Sequence, residues 1–133
     1  MREASYRFLK VKDGVASFAE ATVAFKSKLG GVLSISDSIE NPNPNAGEVD
    51  SATEPEWVAA AISGMRSMAR HLGQETTGPG ELHLISLVGT TCDTTEDAVS
   101  VAAALATFRL FRPGLPLPAV SDGRPWSWRS DPG

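Results

Sequence analysis

Residues 82–111 read LHLISLVGTTCDTTEDAVSVAAALATFRLF. This stretch is a strand, a tight turn and a helix, and it decides the fold. The strand is read over residues 81–90, ELHLISLVGT, and the turn follows it. Two overlapping capping boxes follow, Asp93 with Glu96 and Thr94 with Asp97. In each, a side-chain oxygen accepts an orphan N–H of the first turn and an acidic group three residues on reaches back. Either register starts a helix, and the acidic groups suit the positive end of its dipole. From Ala98 to Phe111 the helix is apolar on most sides, leaving a narrow face of Ser100, Ala104, Thr107 and Arg109 for water. A helix of this kind is buried or covered by a second element. Pro113 and Gly114 stop it.

Upstream, Tyr6 to Lys12 and Phe18 to Lys26 alternate as strands, joined by the turn Asp13-Gly14. In the second, Ala19, Ala21, Val23 and Phe25 share the packed face. Val32 to Asp37 is a shorter third strand with Leu33 and Ile35 inward. These three are expected to form an antiparallel meander. Residues 41–47 (NPNPNAG) form a loop. Thr53 and Glu56 make a further capping box, with Pro55 in the first turn. The helix that follows carries an apolar stripe of Val58, Ala61, Ile62, Met65, Ala69 and Leu72, ends at Gly73, and leads through a polar connection, residues 74–80, into the strand at Glu81.

The order β-β-β-α-β-α predicts an α+β two-layer sandwich. A four-stranded, mostly antiparallel sheet is covered on one face by two helices. Residues 1–112 are read as one domain, and residues 113–133 as a Pro/Gly-rich flexible tail in which Trp126 and Trp128 stand out.

The chain of 133 residues has a formal net charge of −4, which argues against a broad phosphate-binding surface. Its single cysteine, Cys92, excludes an internal disulfide, and no Cys/His zinc spacing is present. No secretory leader is expected from the opening MREASYRFLK, and no apolar run nears the ~20 residues of a membrane span. A cytoplasmic protein with no membrane partner is expected.

Three stretches together carry a resemblance. They are Lys12 to Ala19 (KDGVASFA), Pro55 to Arg66 (PEWVAAAISGMR) and Val88 to Val99 (VGTTCDTTEDAV). In order and spacing they resemble domain IV of bacterial elongation factor G, a ribosomal protein S5 domain 2-like fold. The resemblance implies a non-enzymatic binding domain, translation-related and associated with the ribosome or RNA. It also implies a working tip built from two loops, here Asp13, Gly14, Val15, Ala16 and Ser17 in one and Gly89, Thr90, Thr91, Cys92 and Asp93 in the other. The first loop keeps Gly14 but lacks the family's further glycines, arginine and glutamine; the second is shorter and has no histidine. The alternative is a protein-interaction or self-associating module that kept the scaffold and lost the tip residues.

No catalytic residue, metal site or cofactor is expected, and without a phosphate-binding GxxxxGK[ST] loop no nucleotide is expected either. Lys10, Lys12 and Lys26 are candidate phosphate contacts, although lysines on a hairpin also serve as edge protection. Cys92 is read as a partly buried structural cysteine, because His83 in the preceding strand is too far away to act as its base. Thr90 and Thr91 are read as capping rather than as an anion site, and Asp37, Glu40, Glu48 and Asp50 as loop carboxylates whose spacing fits no calcium loop.

Overall fold

The computed structural model describes residues 1–118, apart from the side chain of Lys12; the tail from 119 onward, with Trp126 and Trp128, lies outside the described residues. The elements in chain order are β1 (Arg2–Lys12), β2 (Val15–Ser27), β3 (Leu33–Asp37), a 3-10 turn (Pro44–Ala46), α1 (Pro55–Leu72), α2 (Gln74–Thr77), β4 (Gly80–Val88) and α3 (Glu96–Phe111). The architecture is α+β, with one mixed four-stranded sheet packed against helices.

β1 and β2 form a long antiparallel hairpin in which Lys12 pairs with Val15. Its two turn residues both have positive φ, 53° at Asp13 and 76° at Gly14. A two-residue turn that matches strand twist needs this backbone, and Asp-Gly adopts it with little strain. Ala4, Tyr6 and Phe8 of β1 and Ala19, Ala21, Val23 and Phe25 of β2 face the helices.

The strand order is β1-β2-β4-β3, with β2–β4 antiparallel and β3–β4 parallel. The expected meander of the first three strands is therefore not formed. β3 leaves β2, joins the far side of β4 and connects to it through α1 and α2. Parallel neighbours require such a crossover, and the strand–helix–strand order of residues 33–88 was its signal.

β4 shows how sequence overrides strict alternation. Thr22 pairs with Ser86 but Val23 pairs with Leu84, so Ile85 is an extra residue, a β-bulge. The bulge lets Leu82, Leu84 and Leu87 all point inward, each fully buried, although Leu84 and Leu87 are out of phase for a regular strand.

α1 begins at Pro55 with Glu54 as its cap residue and no side-chain cap bond. The Thr53–Glu56 box does not form, because the Thr53 hydroxyl is engaged with Asp50. Its buried stripe is Val58, Ala61, Gly64, Met65 and Met68; truncating a side chain such as Met65 to alanine would cost about 2–5 kcal/mol. The 74–80 connection contains the short helix α2.

α3 begins one residue later than the Thr94 register and two later than the Asp93 register. Thr95 is the cap, its hydroxyl accepting from the Ala98 N–H at 3.1 Å. Ala104 and Thr107, expected to meet water, are fully buried, and only Arg109 of that narrow face is exposed. Thr107 satisfies its hydroxyl on the Ala103 carbonyl at 2.9 Å. Arg109 lies over the Tyr6 ring and donates to the Ser5 carbonyl at 3.0 Å, which places a cation on the outer edge of β1.

Candidate functional site

The two loops predicted as a tip, Asp13 to Ser17 and Gly89 to Asp93, leave the same end of the β2–β4 pair, and the bonds that join the two regions run through Phe18, the residue after the first loop. The Phe18 N–H donates to the Asp93 carbonyl at 2.9 Å, and the Thr94 hydroxyl donates to the Phe18 carbonyl at 2.7 Å. The loop also holds itself: the Thr90 N–H donates to Thr94 Oγ1 at 2.7 Å and the Asp93 N–H to Thr90 Oγ1 at 3.3 Å. With these donors engaged, Thr90 acts as a turn former. A third segment closes the end from the side, where the Gly89 N–H donates to the Gly47 carbonyl at 3.1 Å. Gly89 has no room for a side chain, since an added Cβ would lie 2.7 Å from the Trp57 ring and 2.8 Å from Thr94 Oγ1.

Apolar side chains are exposed towards this end. Leu9, Val11 and Val15 are 63%, 67% and 67% exposed. Phe18 is half-buried under the Arg7 guanidinium, which sits 5.2 Å from its ring centroid and 3.7 Å from Glu20. Cys92 is exposed, which corrects the expectation of partial burial; the loop projects it instead of packing it.

The three candidate lysines are not brought together. Lys10 pairs with Ser17 near the turn, whereas Lys26 pairs with Glu81 at the far end of β2. On β2 the two positions, Ser17 and Lys26, are nine residue steps apart, roughly 30 Å. Lys10 falls on the strand phase of Tyr6 and Phe8, and Lys26 on the opposite face of the sheet. Lys12 continues β1 into the turn.

Sequence reasoning missed a polar cluster on the open face of the sheet. His83 Nδ1 lies 2.8 Å from Ser38 Oγ and 3.0 Å from Ser36 Oγ. Its Nε2 is 3.7 Å from Glu81 Oε1, and the other Glu81 oxygen is 3.0 Å from Lys28 Nζ. The Lys28 hydrogen bond and charge hold the Glu81 carboxyl below the usual carboxylate range, with smaller pulls from His83 and Lys26. Hydroxyl, imidazole and carboxylate in sequence invite comparison with a nucleophilic triad. The surroundings do not complete one. The Ser38 N–H is bonded to the Leu84 carbonyl and the Ile39 N–H to the Asp37 carboxylate, so neither can stabilise an oxyanion. The cluster instead fastens β3 and the segment after it to β4. The signal for it was the Ser-x-Ser-x-Ser alternation of residues 34–38 opposite a strand histidine.

Among the described residues no group of three or more His, Cys, Asp or Glu side chains converges on a point that would hold a metal ion. Asp37 and Asp50 cap their own turns. No helix of the described residues is long and apolar enough to cross a membrane.

No family model matches the chain and no curated protein is similar to it at a significant level. Among solved structures, the fold is similar to part of a protein from Thermus thermophilus, with a TM-score of 0.60 and 14% identity over 83% of this chain. The chain spans only 15% of that protein's length. At this identity the likeness is one of fold.

Proposed function

We propose that the chain is a non-enzymatic binding domain that docks a protein partner through the end where the β1–β2 turn meets the β4–α3 loop. The observation that supports this most is the exposure of Leu9 and Val11 on β1 and Val15 on β2, at the end of a hairpin that is hydrogen-bonded to Asp93 and Thr94 through Phe18. Exposed apolar side chains gain from being covered, and a frame that is already ordered loses little entropy when a partner covers it.

A ribosome- or RNA-associated role is the second reading. It is supported by the resemblance to elongation factor G domain IV and by Lys10 and Lys12 on the strand that leads into the same turn. Photo-crosslinking from position 15 separates the two. The first reading expects adducts that survive RNase, are lost on protease treatment, and disappear with Leu9→Ser and Val11→Ser. RNase-sensitive adducts, with ribosome co-sedimentation that falls steeply with salt, would establish the second instead.

A further inference from the structure

Among the described residues β3 is an edge strand, paired on one side only. The Ser38 N–H donates to the Leu84 carbonyl at 2.9 Å, so the even-numbered backbone groups here face β4. In a parallel pair the phase alternates. The N–H and C=O groups of Leu33, Ile35 and Asp37 therefore point away from the sheet. Beside this free edge runs a cavity of about 460 Å³ between β3 and the second half of α1. Val32, Leu33 and Ile35 line one wall, and Arg66 and Arg70 stand on the other.

Two features of this groove are costly unless something fills it. Val32 is 76% exposed next to an open strand edge. Arg66 and Arg70 are four residues apart on one helix face, where like charges repel. Among the described residues neither makes an ion pair or a hydrogen bond, although the chain as a whole carries a net charge of −4. The nearest acidic group on the strand, Asp37, is turned to the Ile39 N–H.

We propose that this groove binds an extended acidic peptide segment, which adds a strand to β3 through the free groups of Leu33 and Ile35 and places carboxylates on Arg66 and Arg70. Backbone pairing supplies the register, and the guanidinium groups select the charge. The carboxylates lie on the helix side beside Leu33 and Ile35, and the alternate side chains of the peptide fall on the open face of the sheet beside Ser34 and Ser36. The site is separate from the turn-and-loop end and does not depend on it.

The test is titration of the full chain with a capped hexapeptide of alternating valine and glutamate, followed by amide NMR. Shifts and exchange protection at Leu33, Ile35 and Asp37 are expected. The Arg66→Gln, Arg70→Gln double variant should bind about tenfold more weakly or worse. A peptide with lysine in place of glutamate should not bind, and one N-methylated on alternate backbone nitrogens should lose binding while keeping its charge. Both controls leave the protein untouched. Equal binding of the N-methylated peptide, equal binding by the double variant, or no shifts up to about 1 mM peptide would overturn the proposal. So would concentration-dependent shifts at the same amides without peptide, which would make a second copy of the chain the occupant.

Discussion

Thr94 donates its hydroxyl to the carbonyl oxygen of Phe18 at 2.7 Å, across 76 residues of sequence. The hydroxyl oxygen of Thr94 also accepts the Thr90 N–H at 2.7 Å, and the Asp93 carbonyl accepts the Phe18 N–H at 2.9 Å. One nearly buried side chain thus links the start of β2 to the loop that launches α3. It is also why Thr94 does not cap α3: its oxygen is already engaged, and Thr95 takes the cap.

Replacing Thr94 with valine keeps the shape and removes both bonds. The Phe18 carbonyl and the Thr90 N–H then lose their partner in a site that is 8% exposed. Each unsatisfied buried group costs about 1–3 kcal/mol. Urea unfolding of Thr94→Val should show a lowered midpoint with an unchanged slope, equivalent to about 2–6 kcal/mol for the two groups together, and Thr94→Ser should recover most of it. A valine variant as stable as the parent would mean that the pin contributes nothing.

Gly64 sits inside α1, where alanine is ordinarily the better helix former by about 1 kcal/mol. Here the sign reverses. A Cβ at Gly64 would overlap the Ser100 carbonyl on α3, a backbone atom that cannot swing aside. Gly64→Ala should push α1 and α3 apart and lower stability by about 1–3 kcal/mol, read as a fall in Tm. A rise in Tm would show that the two helices are not in close approach there.

The parts of the fold visible in the sequence are those set by local chemistry. Asp13-Gly14 marks a turn because few other pairs accept positive φ at both positions, and the alternation of Ala19, Ala21, Val23 and Phe25 names the buried face of β2 directly. The position of β3 is not visible in its own residues. Leu33 and Ile35 face inward whether the strand lies beside β2 or beside β4, so the choice is made by the crossover through α1. Likewise Asp93, Thr94 and Thr95 are all competent caps, and only the tertiary bond from Thr94 to Phe18 decides among them. The predicted tip loops lie at the same end of the domain because both leave one end of the β2–β4 pair. Lys26 does not join them, because it lies at the other end of that pair. The His83 cluster is hidden for the same reason as β3: its serines meet the histidine only once β3 is placed beside β4.

The Glu81–Lys28 pair gives stability a defined pH direction. Lys28, bonded at 3.0 Å, holds the folded-state carboxyl below its ordinary value. A carboxyl depressed on folding contributes stability above its unfolded value, and the contribution is lost as pH falls through the folded one. Both side chains are partly exposed, so salt should weaken the effect. In Lys28→Met, carbon-detected NMR should find Glu81 titrating at higher pH, and the acid limb of the stability curve should become shallower. An unmoved Glu81 titration would remove Lys28 as the cause.

Thr107 offers the opposite case from Thr94, a buried hydroxyl that the fold can spare. Its hydroxyl donates to the Ala103 carbonyl at 2.9 Å, and the residue is fully buried. That carbonyl is also the regular helical acceptor of the Thr107 N–H, so deleting the hydroxyl leaves no group unpaired. Valine in its place keeps the shape and adds a methyl to an apolar surrounding. Thr107→Val should therefore equal the parent or exceed it by up to about 1 kcal/mol. Thr107→Ser keeps the hydroxyl but vacates a methyl in a closed site, and should cost about 1 kcal/mol or more. The order valine above threonine above serine in urea midpoints would show that packing, not the hydroxyl, holds this position. Serine above valine would mean that the hydroxyl carries a bond beyond the helix.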